Sequence, residues 1–230
     1  MINGKKVTAI ILIAGNSTRF SKNRNKNFEL VNGKTVLYYS INMFDKNSYV
    51  DNIIVTAKEE DIQTVNNIIK KEKVCKNTKI VLGGSTRKQS VYNAIKNTDA
   101  EIVIIHDGAR PAIKQAYINN CIENIGEVKG VTIGVKAKDT IKITDGNNNV
   151  VKTVKRDNTW MIQTPQCFER ELLLQMHQKY KDEDFTDDCV LLEKDNYKVK
   201  VIDGDYTNIK ITTPEDLDII KEFLTYKKYT

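Results

Sequence analysis

Apolar residues along this chain gather into short runs separated by mixed polar stretches. The first, Val7-Thr-Ala-Ile-Ile-Leu-Ile13, is followed by Ile53-Ile-Val-Thr56, Lys79-Ile-Val-Leu82, Glu101-Ile-Val-Ile-Ile105 and Val131-Thr-Ile-Gly-Val135. Runs this short, rich in β-branched residues and nearly continuous, read as strands buried on both faces. Helices are expected in the stretches between them, over 35–44, 59–72, 88–96 and 114–126. Strands alternating with helices predict an α/β fold, a mostly parallel twisted sheet flanked by helices, in a single domain covering 1–230. Ligands of such sheets bind beyond the carboxyl ends of the strands. The loops expected to carry chemistry are therefore 14–19, 83–90 and 106–111.

One segment breaks the alternation. Asp139-Thr-Ile-Lys-Ile-Thr144 and Val150-Val-Lys-Thr-Val154 alternate polar and apolar residues on either side of Asp145-Gly-Asn-Asn-Asn149. This is a β-hairpin pattern, with turn residues that tolerate positive φ. Two outcomes are open for 139–156. It could project as an arm that pairs with a second subunit through one apolar face of Ile141, Ile143, Val150 and Val154, or it could extend the main sheet as a short antiparallel piece. Further on, Thr213-Pro-Glu-Asp-Leu217 predicts a helix start, with Thr213 as cap and Pro214 at the first helical position.

Composition narrows the function classes. Lys and Arg number 36 against 30 Asp and Glu, a net charge of +6 over 230 residues. The cations are scattered singly, which speaks against a nucleic-acid face and suits small phosphorylated ligands. Cys75, Cys121, Cys167 and Cys189 show no Cys-x-x-Cys spacing, and only His106 and His177 could join them, so a zinc site is not expected. Without a signal peptide or an apolar run long enough to span a bilayer, the expectation is a cytoplasmic protein with reduced thiols and no membrane partner.

Three loops carry candidate chemistry. Ala14-Gly15-Asn16 follows the first strand, with Arg19 and Lys26 just beyond. Backbone N–H groups and two cations at such a place suit a nucleoside triphosphate, and the cations could neutralise charge developing on an α-phosphate and a departing pyrophosphate. The alternative is an ordinary surface turn, and the spacing matches neither a Walker loop nor a dinucleotide fingerprint. Gly83-Gly-Ser-Thr-Arg-Lys-Gln-Ser90 offers close backbone approach to a flat ligand and a Ser90 hydroxyl for a base or ribose, or else a plain turn with a Ser cap. In His106-Asp-Gly-Ala-Arg-Pro111, Asp107 could help hold Mg²⁺ or a sugar hydroxyl. Arg110 could bind phosphate or orient Asp107, and a structural Asp–Arg pair is the competing reading.

Taken in order, these loops with Lys26-Asn-Phe28, Arg87, Lys138-Asp-Thr140, Arg156, Gln163-Thr-Pro-Gln166, Thr186-Asp-Asp188 and Asn208-Ile-Lys-Ile-Thr-Thr-Pro-Glu-Asp-Leu217 resemble the methylerythritol phosphate cytidylyltransferase family of non-mevalonate isoprenoid biosynthesis. The resemblance covers essentially the whole chain. It implies a Rossmann-like nucleotidyltransferase fold, a homodimer joined by the arm, Mg²⁺-CTP as donor, 2-C-methyl-D-erythritol 4-phosphate as acceptor and pyrophosphate as by-product. It implies catalytic roles for Arg19, Lys26, Arg156 and Lys210, and nucleotide contacts from Ala14, Gly15, Asn16, Gly84, Ser85, Arg87 and Ser90. Asp107 and Arg110 would lie near ribose, metal and acceptor, with Asp107 a metal ligand. Thr140, Arg156, Thr164, Thr186 and Lys210 would shape the acceptor pocket, Arg156 reaching across from the partner subunit to clamp the phosphate with Lys210.

The chain departs from the family pattern three times. A usual Pro-Lys-Gln reads Asn25-Lys26-Asn27, which removes a rigid turn; a usual Asp is Ser85; and a usual Val-Asp-Arg reads Val154-Lys155-Arg156. The nearest rival is ribitol-5-phosphate cytidylyltransferase of teichoic acid synthesis. That group more often carries Val or Ser-Val before Arg-Pro and lacks a counterpart of Trp160, so the motifs lean toward methylerythritol phosphate. A non-catalytic nucleotide-binding regulator is a remoter alternative, against which Arg19 and Lys26 speak.

Overall fold

Isoleucine- and valine-rich runs with no polar face can pair their backbones and bury their side chains only inside a covered sheet, and the structure places 7–13, 53–56, 102–105 and 131–135 there. The run 79–82, expected to be buried on both faces, lies instead at the sheet edge, where Val81 is buried but Leu82 is 51% exposed. The computed structural model describes residues 1–15, 19–21 and 25–226. In chain order the elements are β1 (Val7–Leu12), two-residue strands β2 (Leu30–Val31) and β3 (Lys34–Thr35), α1 (Val36–Asp45), β4 (Asn52–Ala57), α2 (Ile62–Lys71), β5 (Asn77–Leu82), α3 (Arg87–Ile95), β6 (Ile102–Asp107) and α4 (Gln115–Glu123). There follow β7 (Gly130–Lys136), β8 (Lys142–Thr144), β9 (Val150–Thr153), β10 (Trp160–Glu169), α5 (Arg170–Lys179), α6 (Cys189–Glu193), β11 (Val199–Asp203) and α7 (Pro214–Tyr226).

Seven strands form one sheet in the order β11-β7-β10-β6-β1-β4-β5. Every neighbouring pair is parallel except those of β10, which runs antiparallel to both β6 and β7. Successive strand residues face opposite sides, so Ile11 and Ile104 pack with Leu37, Phe44, Val65 and Ile118 of α1, α2 and α4. Ile10 and Ile105 pack with Val91, Leu173 and Leu192 of α3, α5 and α6 on the other side. The α7 helix closes a smaller cluster through Ile220 and Leu224 against Val31, Val36, Ala109 and Ile211. Its start is built as expected: the Asp216 carboxylate accepts from the Thr213 N–H at 2.9 Å, the reciprocal half of a capping arrangement.

The hairpin forms its own two-stranded sheet, β8 with β9, apart from the main one. The hairpin is therefore not an extension of the main sheet. Its apolar face is smaller than expected. Val154 pairs with Ile141 and Lys152 with Ile143, but a register shift sets Val150 opposite Thr144. Paired residues share a face and alternate along the strand, so Val150 lies on the side away from Ile141, Ile143 and Val154. Ile143 and Val150 are 50% and 60% exposed, one on each face of the arm.

Candidate active site

Because β6, β1, β4 and β5 are parallel and adjacent, their carboxyl ends bring Asp107, Ala14, Lys58 and Gly83 to one edge of the sheet. The loops after β1 and β5 touch there. A Cβ at Gly83 would lie 2.2 Å from Ala14 Cβ, so only glycine permits the approach. The Gly83 N–H donates to Ala57 O at 2.9 Å, and the Gly84 N–H donates to Ser90 Oγ at 3.0 Å. Ser90 is buried and itself donates to Thr86 O. Its hydroxyl therefore braces the loop within the chain, and the cap of α3 is Thr86, not a serine. Ser85 directs both its N–H and its hydroxyl to Gln89 Oε1, at 3.0 and 2.9 Å.

Lys26 opens a short 3-10 turn, Lys26–Phe28, whose cap is the Asn25 side chain accepting from the Asn27 N–H. The Asn25 amide also donates to Asp61 at 2.9 Å. Hydrogen bonds thus supply here the rigidity that a proline would have given. Burial and the neighbouring Lys210 and Arg19 charges lower the Lys26 pKa to about 8, against the opposing pull of Asp107. Arg19 is exposed, and Asn16 lies outside the described residues.

Asp107 is 8% exposed and surrounded by cations. Lys210 Nζ is 2.7 Å from Oδ2, Arg110 Nε 3.8 Å from the same oxygen, and Arg87 Nε 3.7 Å from Oδ1. Burial works against ionisation of this carboxyl, but Lys210, Arg87 and Arg110 overcome it and hold its pKa far below the usual carboxylate range. Arg87 is held from behind by Asp188 at 2.5 Å. The Asp107 N–H donates to Thr164 Oγ1 at 3.0 Å, and Thr164 is also 3.1 Å from His106 Nδ1. The other nitrogen, Nε2, faces the Arg110 carbonyl at 3.1 Å. A carbonyl only accepts, so Nε2 carries the proton and Thr164 donates to Nδ1. Burial keeps that histidine neutral, with a pKa lowered to about 4.

Lys210 arrives on a segment tied at several points. Asn208 Nδ2 donates to Thr164 O and Gln163 Oε1, Arg110 donates to Asn208 O, and the Ile211 N–H donates to Ala109 O. The result is a cleft with two lobes. One, of about 500 Å³, is lined by Ala14, Gly15, Arg19, Lys26, Gly84, Ser85 and Ser90; the other, of about 240 Å³, by Arg110, Thr164 and Thr186. Arg87, Asp107 and Lys210 line both. Thr140 and Arg156 line neither; both are exposed at the base of the arm, where Arg156 Nη1 donates to Lys138 O at 2.8 Å.

The model of the 2-C-methyl-D-erythritol 4-phosphate cytidylyltransferase family matches residues 7–226. The enzyme of that name from Caldanaerobacter subterraneus subsp. tengcongensis is 47% identical over 223 residues, 95% of this chain and 98% of its own. This chain belongs to that family. The namesake from Clostridium acetobutylicum is 42% identical over 213 residues, 91% of this chain and 93% of its own. The crystal structure of 4-diphosphocytidyl-2C-methyl-D-erythritol synthase from Anaerococcus prevotii superposes with a TM-score of 0.85 at 34% identity, covering 97% of this chain and all of that one.

Within this cytidylyltransferase frame, the strand-end rule could have found one lining residue that motif reading passed over: Lys58, directly after β4, also faces the larger lobe. Asp187 and Gln166 line the smaller one, joined to each other at 2.8 Å. Among the described residues no group of three or more His, Cys, Asp or Glu side chains is placed to hold a metal by protein ligands alone. The lowered Lys26 pKa sets a pH limit. With the ammonium as the form that would neutralise phosphate charge, kcat/KM for CTP, which reports the free enzyme, is expected to fall as pH rises through about 8. In Lys26→Arg that falling limb moves to higher pH; a flat wild-type profile to pH 9.5 would contradict the assignment.

Proposed function

We propose that this chain transfers the cytidylyl group of CTP to 2-C-methyl-D-erythritol 4-phosphate, giving 4-diphosphocytidyl-2-C-methyl-D-erythritol and pyrophosphate. The observation that carries this reading is the meeting of two lobes at Arg87, Asp107 and Lys210. CTP would occupy the larger lobe, its triphosphate toward Arg19 and Lys26, with Ala14, Gly15, Gly84 and Ser85 around the nucleoside. The acceptor would occupy the smaller lobe against Thr164, Thr186 and Arg110, its phosphate held by Lys210. An acceptor phosphate oxygen attacks the α-phosphorus, a new P–O bond forms, and the bond to the β-phosphate oxygen breaks as pyrophosphate leaves with the electron pair. Positioning and charge neutralisation are enough for such a transfer.

Mg²⁺ fits the donor set as a companion of the nucleotide. Asp107 would supply one carboxylate oxygen, through Oδ1, whose Arg87 neighbour stands beyond hydrogen-bond distance at 3.7 Å. The phosphates would supply most of the remainder, the usual manner of Mg²⁺ binding, and the ion would neutralise charge on the departing pyrophosphate. Arg156 and Thr140 would complete the acceptor lobe of a second copy, which makes the working unit a homodimer. We place it in the cytoplasm with its nucleotide substrate; among the described residues no helix is long and apolar enough to cross a membrane.

A pyrophosphate-release assay run in parallel with 2-C-methyl-D-erythritol 4-phosphate and ribitol 5-phosphate tests the acceptor. Turnover should favour the former, and preference for ribitol 5-phosphate would overturn the reading. The dimer is tested by mixing Lys26→Ala with Arg156→Gln, each inactive alone, under subunit exchange. A mixed dimer then holds one site with both defects and one with neither, so part of the activity should return. No recovery despite demonstrated exchange would put Arg156 in the site of its own chain.

A further inference from the structure

The smaller lobe of the cleft has one apolar side chain among its described lining residues, Ile162. All the others end in a charge, an amide or a hydroxyl. Ile162 is 38% exposed, whereas Gln163, Thr164 and Gln166 beyond it on β10 are buried. It sits where the register of β10 against β7 shifts, between Ile162 and Gln166, and such irregularities re-aim the side chains beside them. Across the ladder its partner is Gly134, and a Cβ there would lie 3.3 Å from Ile162 Cδ1. The isoleucine therefore rests on bare glycine backbone while still reaching the lobe. Its neighbours are occupied elsewhere: Gln163 donates to Asp205 O, and Thr164 is committed to Asp107 and His106.

We infer that Ile162 recognises the methyl branch of the acceptor, making it the side chain that separates a C-methylated tetritol phosphate from its unbranched counterpart. This rests on the acceptor reading above. A polyol phosphate offers hydroxyls and phosphate oxygens, which Thr186 and the cations of the lobe can hydrogen-bond. A methyl group offers nothing of that kind, and a lobe of polar groups alone would gain nothing by covering it. Contact with a half-exposed isoleucine removes apolar surface from water on both partners, worth about 0.8 kcal/mol per buried CH₂-sized group.

The test is the ratio of kcat/KM for 2-C-methyl-D-erythritol 4-phosphate to that for D-erythritol 4-phosphate, with CTP saturating. That ratio should fall about fourfold in Ile162→Ala, the factor that corresponds to one such group. Ile162→Val should keep most of it, and Ile162→Thr, the polar near-isostere of that valine, should behave like the alanine variant. An equal loss on both acceptors, or an unchanged ratio, would overturn the inference, all the more if size-exclusion chromatography showed altered assembly, since Ile162 would then be a packing contact. Failure of the unaltered enzyme to use the methylated acceptor would refute the acceptor assignment itself, and the role of Ile162 with it.

Discussion

Asp107 can remain ionised beneath the surface of this cleft only because Lys210, Arg87 and Arg110 surround it, and the three cations can stand so close together only because Asp107 lies between them. Each comes from a different stretch of chain: the start of α3, the turn after β6, and the segment before α7. Breaking one side of such a buried arrangement is costly, about 3–5 kcal/mol where a partner of a buried pair is removed. The cluster is thus a structural knot as well as a site. Asp107 and Asp188 against Lys210, Arg87 and Arg110, with Lys26 close to Lys210, leave an excess of positive charge, already oriented, at the place where phosphates would meet. Charge fixed before the reaction needs no reorganisation during it.

The supporting layer explains how that geometry is held. Asp188 grips Arg87, neutral His106 orients the Thr164 hydroxyl that receives the Asp107 N–H, and Asn208 fixes the approach of Lys210. At the larger lobe, contact between Ala14 and Gly83 brings two loops together, and the Asn25 cap sets Lys26.

Much of this was legible in the sequence, for reasons that also mark where legibility ends. β1, β4, β6 and β7 announce themselves because burial on both faces leaves them no polar alternation to confuse; β5 is legible only by its short β-branched run, since it lies at the sheet edge and is largely exposed. β10 does not announce itself: proline is unexpected in a central strand, and Gln163, Thr164 and Gln166 break any apolar run there. Gln163 and the Gln166 amide nitrogen hydrogen-bond to Asp205, Asn208, Thr132 and Asp187, partners no local window contains. The short, partly exposed β11 was missed for lack of a continuous apolar run. Alternation revealed the arm, but the bulge that turns Val150 to the other face left no mark in the pattern. Asn25 looked like the loss of a rigid turn, and only the folded chain shows its side chain closing one. Ser90 reads as a ligand contact and does line the larger lobe, but no sequence signal shows that its hydroxyl also braces the loop through Gly84 and Thr86.

With both substrates in one cleft on either side of Asp107, the acceptor phosphate would displace pyrophosphate in a single step. The described lining residues include neither a cysteine nor a histidine to carry the nucleotide in between. CTP made chiral at the α-phosphorus by sulfur substitution reads this directly. Inversion of configuration in the cytidylylated product is the result a single in-line displacement predicts; retention would require two displacements through a nucleotide held covalently by the enzyme, and would contradict it.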